Sequence, residues 1–199
     1  MPQTLLALLA MILTSLLAFN QQQSVRNNYT HMVGNEIEMA ASGALMTVLE
    51  FIGSRSFDER TTPAAIEAAQ TLPADSTHFS AAHRFGSYDR GASGCDLMAP
   101  YRTPDCDDID DVDGLTGQTI SVTLSTGLTL DFAVSVEVDY VGLDDMDRPI
   151  TTPTFYKRVV VTAANDLLPY GRLEMVRIFA YDPLKAEADY EDVYGPLGA

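Results

Sequence analysis

Apolar positions are distributed along this chain in three different ways. From Leu5 to Phe19 the run LLALLAMILTSLLAF has no charge, and only Thr14 and Ser15 are polar. From Asn20 polar residues take over (NQQQSVRNNYTH), and apolar ones return at Val25, Tyr29, Met32, Val33, Ile37, Met39, Ala40, Ala44, Leu45, Val48, Leu49 and Ile52. Separations of three and four are helical. The pattern predicts one helix from near Pro2, where the first turn accepts proline, to Gly53 or Ser54. Such a rod is on the order of 75 Å long. Its first third is apolar all round, and its last third carries a stripe suited to packing on a sheet. Gly34 and Gly43 cost helix propensity and mark places where the rod could bend or admit a close neighbour.

The third pattern is alternation. Gln118–Leu124, Leu128–Val141, Thr154–Ala163 and Leu173–Tyr181 are rich in Val, Ile, Thr, Tyr and Phe, with period two in FAVSVEVDY and RLEMVRIFAY. Turn residues separate them at Ser125-Thr126-Gly127, Gly142 to Pro153 and Asn165 to Gly171. These features predict an α+β fold: a long N-terminal helix packed on a C-terminal antiparallel meander of about four strands. Three regions follow: 1–54, the helix; 55–117, an irregular connection with a short helix near Thr62–Thr71; and 118–199, the sheet with an acidic tail from Asp182 expected on the surface.

Charge sharpens the division. The chain has 199 residues, with 28 acidic against 12 basic side chains and a formal charge of −16. Before Arg55 the ionised groups are only Arg26, Glu36, Glu38 and Glu50. Nucleic acid is not an expected partner, because phosphate binding depends on clustered Lys and Arg that release counterions. An uncharged apolar end on an acidic body suggests two solvents. As a signal peptide the run lacks a basic start and a clean small-residue cleavage site. As a core helix it is apolar on too many sides. Pro2 to Phe19 just reaches the ~17 residues needed for a membrane span, so a transmembrane helix is expected.

The order of parts, a helix of some fifty residues beginning MPQTLLALLA, an irregular connection and then a meander sheet, resembles a type IV pilin. That resemblance implies a structural subunit of an extracellular filament, a homopolymer built through the apolar helix. Leu5, Leu6, Leu8, Leu9, Met11, Ile12, Leu13, Leu16, Leu17 and Phe19 would form the assembly core. It further implies a membrane partner before assembly, a prepilin peptidase, pilus assembly machinery, and localisation on the cell surface after assembly from the inner membrane. Many bacterial pilins carry glutamate at the fifth mature position, whereas Leu5 stands here. A membrane-tethered envelope binding module and a minor pseudopilin of a secretion system are the alternative readings.

The connecting region carries the remaining chemistry. Cys95 and Cys106 bracket a loop of turn formers (CDLMAPYRTPDC), which suits one disulfide in an exported body. Zinc would need further ligands that the neighbouring sequence does not supply. Beside the loop stand Asp105, Asp107, Asp108, Asp110, Asp111 and Asp113, followed by Gly114. Of these, Asp108, Asp110, Asp111 and Asp113 are calcium candidates, since hard cations take carboxylate oxygens. Asp111, Asp113 and Gly114 fit EF-hand positions three, five and six, but Ile109 and Ile120 occupy the first and twelfth, so a solvated acidic loop stands beside the calcium reading. No other cofactor is expected. His78 and His83 are not at metalloprotease spacing, no nucleophile elbow or phosphate loop occurs, and an enzyme is not expected.

Overall fold

The computed structural model describes residues 2–82, 95–97 and 106–197, with α1 side chains described at Leu9 and from Met11 onward. One helix, α1 (Pro2–Gly53), runs unbroken for 52 residues. It is followed by a short helix, α2 (Pro63–Ala69), by five strands, and by α3 (Pro183–Tyr194). The strands are β1 (Gln118–Thr123), β2 (Thr129–Val141), β3 (Pro149–Ile150), β4 (Tyr156–Ala164) and β5 (Arg172–Ala180). They form one antiparallel sheet in the order β1-β2-β4-β5, and the two-residue β3 pairs with the end of β2 through Tyr140 and Val141. The predicted α+β architecture is thus the observed one, broadly that of a pilin-like fold.

The alternation along β2 explains how the layers meet. Leu130, Phe132, Val134, Val136, Val138 and Tyr140 are buried, while most residues between them face outward. In β4 the same inward parity falls on Lys157, Val159, Val161 and Ala163. Across this face lies the second half of α1, which buries Ile37, Ala41, Ala44, Leu45, Val48, Leu49 and Ile52. Each large member of that stripe contributes about 1.5–3 kcal/mol by leaving water. Gly127, at φ +83, closes the β1–β2 hairpin in a conformation that side chains disfavour.

Several details depart from the expected pattern. The acidic tail carries a helix that the sequence pattern did not assign: Asp182 caps α3 through the Leu184 N–H at 3.0 Å, and Ala186 and Tyr190 pack with Ile66 of α2 while most of its other residues are exposed. Periodicity was hidden there among acidic residues. Gly34 and Gly43 have nothing within 4 Å of where a Cβ would stand, and the rod does not break at either. Close approach occurs instead at Gly53, whose added Cβ would lie 2.9 Å from the Phe179 ring.

The expected transmembrane helix is corrected by the structure. Among the described residues no helix is long and apolar enough to cross a membrane. The apolar run from Leu5 to Phe19 rises roughly 22 Å as a helix against a hydrocarbon core of about 30 Å. Asn20 to Gln23 then continue the same helix with polar groups. Assembly from the inner membrane, a cell-surface location reached by that route, and the membrane-tethered module all depended on that span and fall with it.

Candidate functional site

Two features of the molecule can do something chemical or mechanical. The first is the outer half of α1. Leu9, Met11, Ile12, Leu13, Leu16, Leu17 and Phe19 are between 52% and 69% exposed, and Val25, Tyr29 and Met32 continue the exposure toward the head. The helical backbone there satisfies its own hydrogen bonds, so the segment holds its shape without a sheet beneath it. Leu5, Leu6 and Leu8 lie on the same helix, and their side chains are outside the described residues.

The second is an acidic cluster where the end of α1 meets the connecting region. After Gly53 the chain turns, and Ser56 pairs in parallel with Asp108: the Ser56 N–H donates to the Asp107 carbonyl and the Ile109 N–H to the Ser56 carbonyl, both at 3.0 Å. This pairing lays residues 56–59 alongside 107–109. Cys106, one residue before that pairing, is disulfide-bonded to Cys95, so the covalent link fixes the entry of the acidic loop. Asp58 caps the following turn by accepting from the Arg60 N–H at 3.1 Å, with Thr61 completing a reciprocal capping box. Gly114, at φ +69, ends the loop and donates its N–H to the Val136 carbonyl at 3.1 Å.

Inside this frame sits Lys157, fully buried on the core-facing parity of β4. Its ammonium donates to the Phe57 carbonyl at 2.5 Å, to Asp58 Oδ2 at 3.4 Å and to Asp110 Oδ1, and it lies 4.5 Å from the centre of the Phe57 ring. Asp58 also accepts from the Ser80 N–H at 2.9 Å and from the Tyr140 hydroxyl at 3.1 Å. Burial pulls the Lys157 ammonium toward neutrality, but Asp110, Asp58 and Asp108 outweigh it and hold the amine above its usual range. For Asp58, burial raises the carboxyl, yet Lys157 and the Arg60 and Ser80 N–H groups bring it below the usual value. Asp110 goes the other way: burial pushes it up to about 7, with Lys157 only partly opposing and Asp58 adding to the rise. Burial also raises Tyr140, and Asp58 adds to it.

The predicted calcium candidates divide in this geometry. Asp110 is engaged with Lys157, Asp111 Oδ2 accepts from the Asp107 and Asp108 N–H groups at 3.0 and 3.2 Å, and Asp113 Oδ1 accepts from the Val138 N–H at 2.8 Å. Asp108 instead joins Asp107 and Glu59, whose carboxylate oxygens and its own lie within 4.8 Å of one another. That cluster has the donors to coordinate a divalent cation such as calcium. Asp108 Oδ1 accepts from the Asp110 and Asp111 N–H groups at 2.6 and 3.1 Å, and Asp108 Oδ2 is buried with no hydrogen-bond partner among the described residues. Asp105 and His83 lie outside the described residues, and His78 stands in a short 3-10 turn.

Sequence reasoning missed Glu59 as a member of this cluster, and it missed Lys157 and Asp58 altogether. A signal for Lys157 existed, since it shares strand parity with Val159, Val161 and Ala163 and therefore faces the core. Nothing local marked Glu59, which reaches the cluster only through the Ser56–Asp108 pairing. The chain matches no family model, no curated protein and no solved structure.

Proposed function

We propose that this protein is the structural subunit of a type IV pilus-like filament, polymerising with copies of itself through the apolar outer half of α1. The observation that carries the reading is the exposure of Leu9, Met11, Ile12, Leu13, Leu16, Leu17 and Phe19 on a helix that extends beyond its own sheet. Burying a leucine or isoleucine is worth about 1.5–3 kcal/mol, so these side chains gain most by packing against an equally apolar surface. The same segment of a neighbouring copy is such a surface. Ala7, Ala10 and Ser15 are small residues in that run, and small residues let helices approach closely. The head's charge would face outward and keep finished filaments apart in solution. The role is structural and not catalytic. The ion accompanying this role is calcium, because the available donors are hard carboxylate oxygens.

The test is negative-stain electron microscopy of the full-length chain after removal from detergent, beside a form lacking residues 2–24. Filaments of uniform width from the full chain, and dispersed particles from the shortened one, are the expected pair. Shapeless aggregate from the full chain, or filaments that survive the deletion, would overturn the reading.

A further inference from the structure

We propose that Glu59, Asp107 and Asp108 form a calcium site that clamps the disulfide-linked acidic loop to the base of α1. The inference rests on the calcium reading above and not on polymerisation. Its first support is convergence: three carboxylates from two separate segments bring oxygens within 4.8 Å of each other. Donors bound to one calcium at 2.3–2.6 Å stand up to about 5 Å apart, so the spacing matches a shared ion. The second support is independent of the clustering. Asp108 is wholly buried, its Oδ1 is used by two backbone N–H groups, and its Oδ2 has no hydrogen-bond partner among the described residues. A buried carboxylate oxygen without a donor is costly to leave so, and a cation seated among Glu59, Asp107 and Asp108 gives it one.

The charge balance agrees. Asp58 and Asp110 both engage the Lys157 ammonium, and Asp107, Asp108 and Asp111 stand in the same loop. One lysine ammonium is therefore shared among more carboxylates than it can neutralise. Glu59 and Asp107 are half-buried, which leaves the outer side of the site accessible to the waters that complete a calcium shell of six to eight oxygens. Magnesium, which demands a near-ideal octahedron and dehydrates reluctantly, fits this three-carboxylate set less well. Because the ligands come from residues 59 and 107–108, which are adjacent only in the folded chain, bound calcium would favour the folded state by mass action.

The experiment is equilibrium dialysis of full-length protein in detergent against radioactive calcium, with magnesium as competitor and thermal melting followed in parallel. The expected result is saturable binding of one calcium per chain, weak competition by magnesium, and a melting temperature that rises with calcium. Asp108→Asn should weaken binding roughly tenfold or more, the scale seen when a metal site's supporting groups are disturbed. Glu59→Gln, at a half-buried position that tolerates change better, should also weaken it and guards against misfolding of the first variant. Asp144→Asn, in the exposed β2–β3 turn, should bind as the parent does. If the parent binds calcium while Asp108→Asn and Glu59→Gln bind equally well, the ion sits elsewhere and this site is wrong while the calcium reading stands. If the parent binds none at millimolar calcium, both fail.

Discussion

The two halves of α1 are one helix by backbone hydrogen bonding and two different objects by surroundings. Leu13 is 54% exposed, whereas Leu45, the same residue type on the same helix, is 0% exposed. Neither half owes its helical shape to burial alone, since the rod continues far beyond the sheet. The inner half has already spent its apolar surface on Phe132, Val134, Val136 and their neighbours in the core. The outer half retains its own, and that unspent surface is what the filament reading uses. Stability and assembly should therefore respond to different stretches of a single element.

The strongest way to break this separation is to unseat the inner anchor. Lys157→Met leaves the buried carboxylates Asp58 and Asp110 without their cation and should cost about 3–5 kcal/mol of head stability, read by denaturant unfolding. Replacing Lys157 and Asp110 together with apolar residues should recover much of that loss; no recovery would show that the pair is not the cause. Next in size is the direct comparison of halves. Leu45→Ala should destabilise the head by about 2–5 kcal/mol, while Leu13→Ala should stay within about 0.5 kcal/mol and yet lower filament yield. Equal losses of stability at both positions would mean that the outer half is also part of the folded core.

Glycine substitutions sharpen the same contrast on a smaller scale. Gly53→Ala puts a methyl 2.9 Å from Phe179 Cε1 and should cost about 1–3 kcal/mol by overpacking, unless the ring moves aside. Gly43→Ala meets nothing within 4 Å and should stabilise the subunit by up to about 1 kcal/mol; a drop in filament yield with that gain would place a neighbouring helix at this position.

The smallest expected effect is at the border between the halves. Glu36 accepts from the Ser125 hydroxyl at 2.5 Å and from its N–H at 2.8 Å, and these bonds hold its carboxyl below the usual 4.5. A carboxyl lowered on folding adds stability above its unfolded value and loses it as pH falls through the folded one. Thermal melting from pH 6 down to pH 3 should therefore fall more gently in Glu36→Gln than in the parent, and identical curves would remove Glu36 as a contributor.

Much of this architecture was legible because its signals are local. The three-and-four spacing from Val25 to Ile52 is a property of consecutive turns, and the alternation in FAVSVEVDY is a property of one strand. Helix and strand limits accordingly fall close to where the pattern puts them. Proximity of Cys95 and Cys106 in sequence similarly pointed to their disulfide, now observed. The acidic tail concealed α3 because its apolar contacts are few, and Ala186 and Tyr190 make sense only against Ile66. The apolar run suggests a membrane span by composition, but Leu5 to Phe19 falls short of a bilayer's hydrocarbon thickness and Asn20 to Gln23 continue the same helix with polar groups.

By itself, then, the sequence determined which segments form helix and strand, which face of each is apolar, and that acidic residues crowd beside a cysteine-bounded loop. Tertiary structure alone decided that Lys157 meets Asp110 and Asp58 across sequence separations of 47 and 99 residues, and that Glu59 stands beside Asp107 and Asp108. The physical reason is that hydrophobic period is written along neighbouring residues. Pairings of distant charges depend instead on strand register, on the Ser56–Asp108 bridge and on which carboxylates burial leaves within reach of a single ammonium.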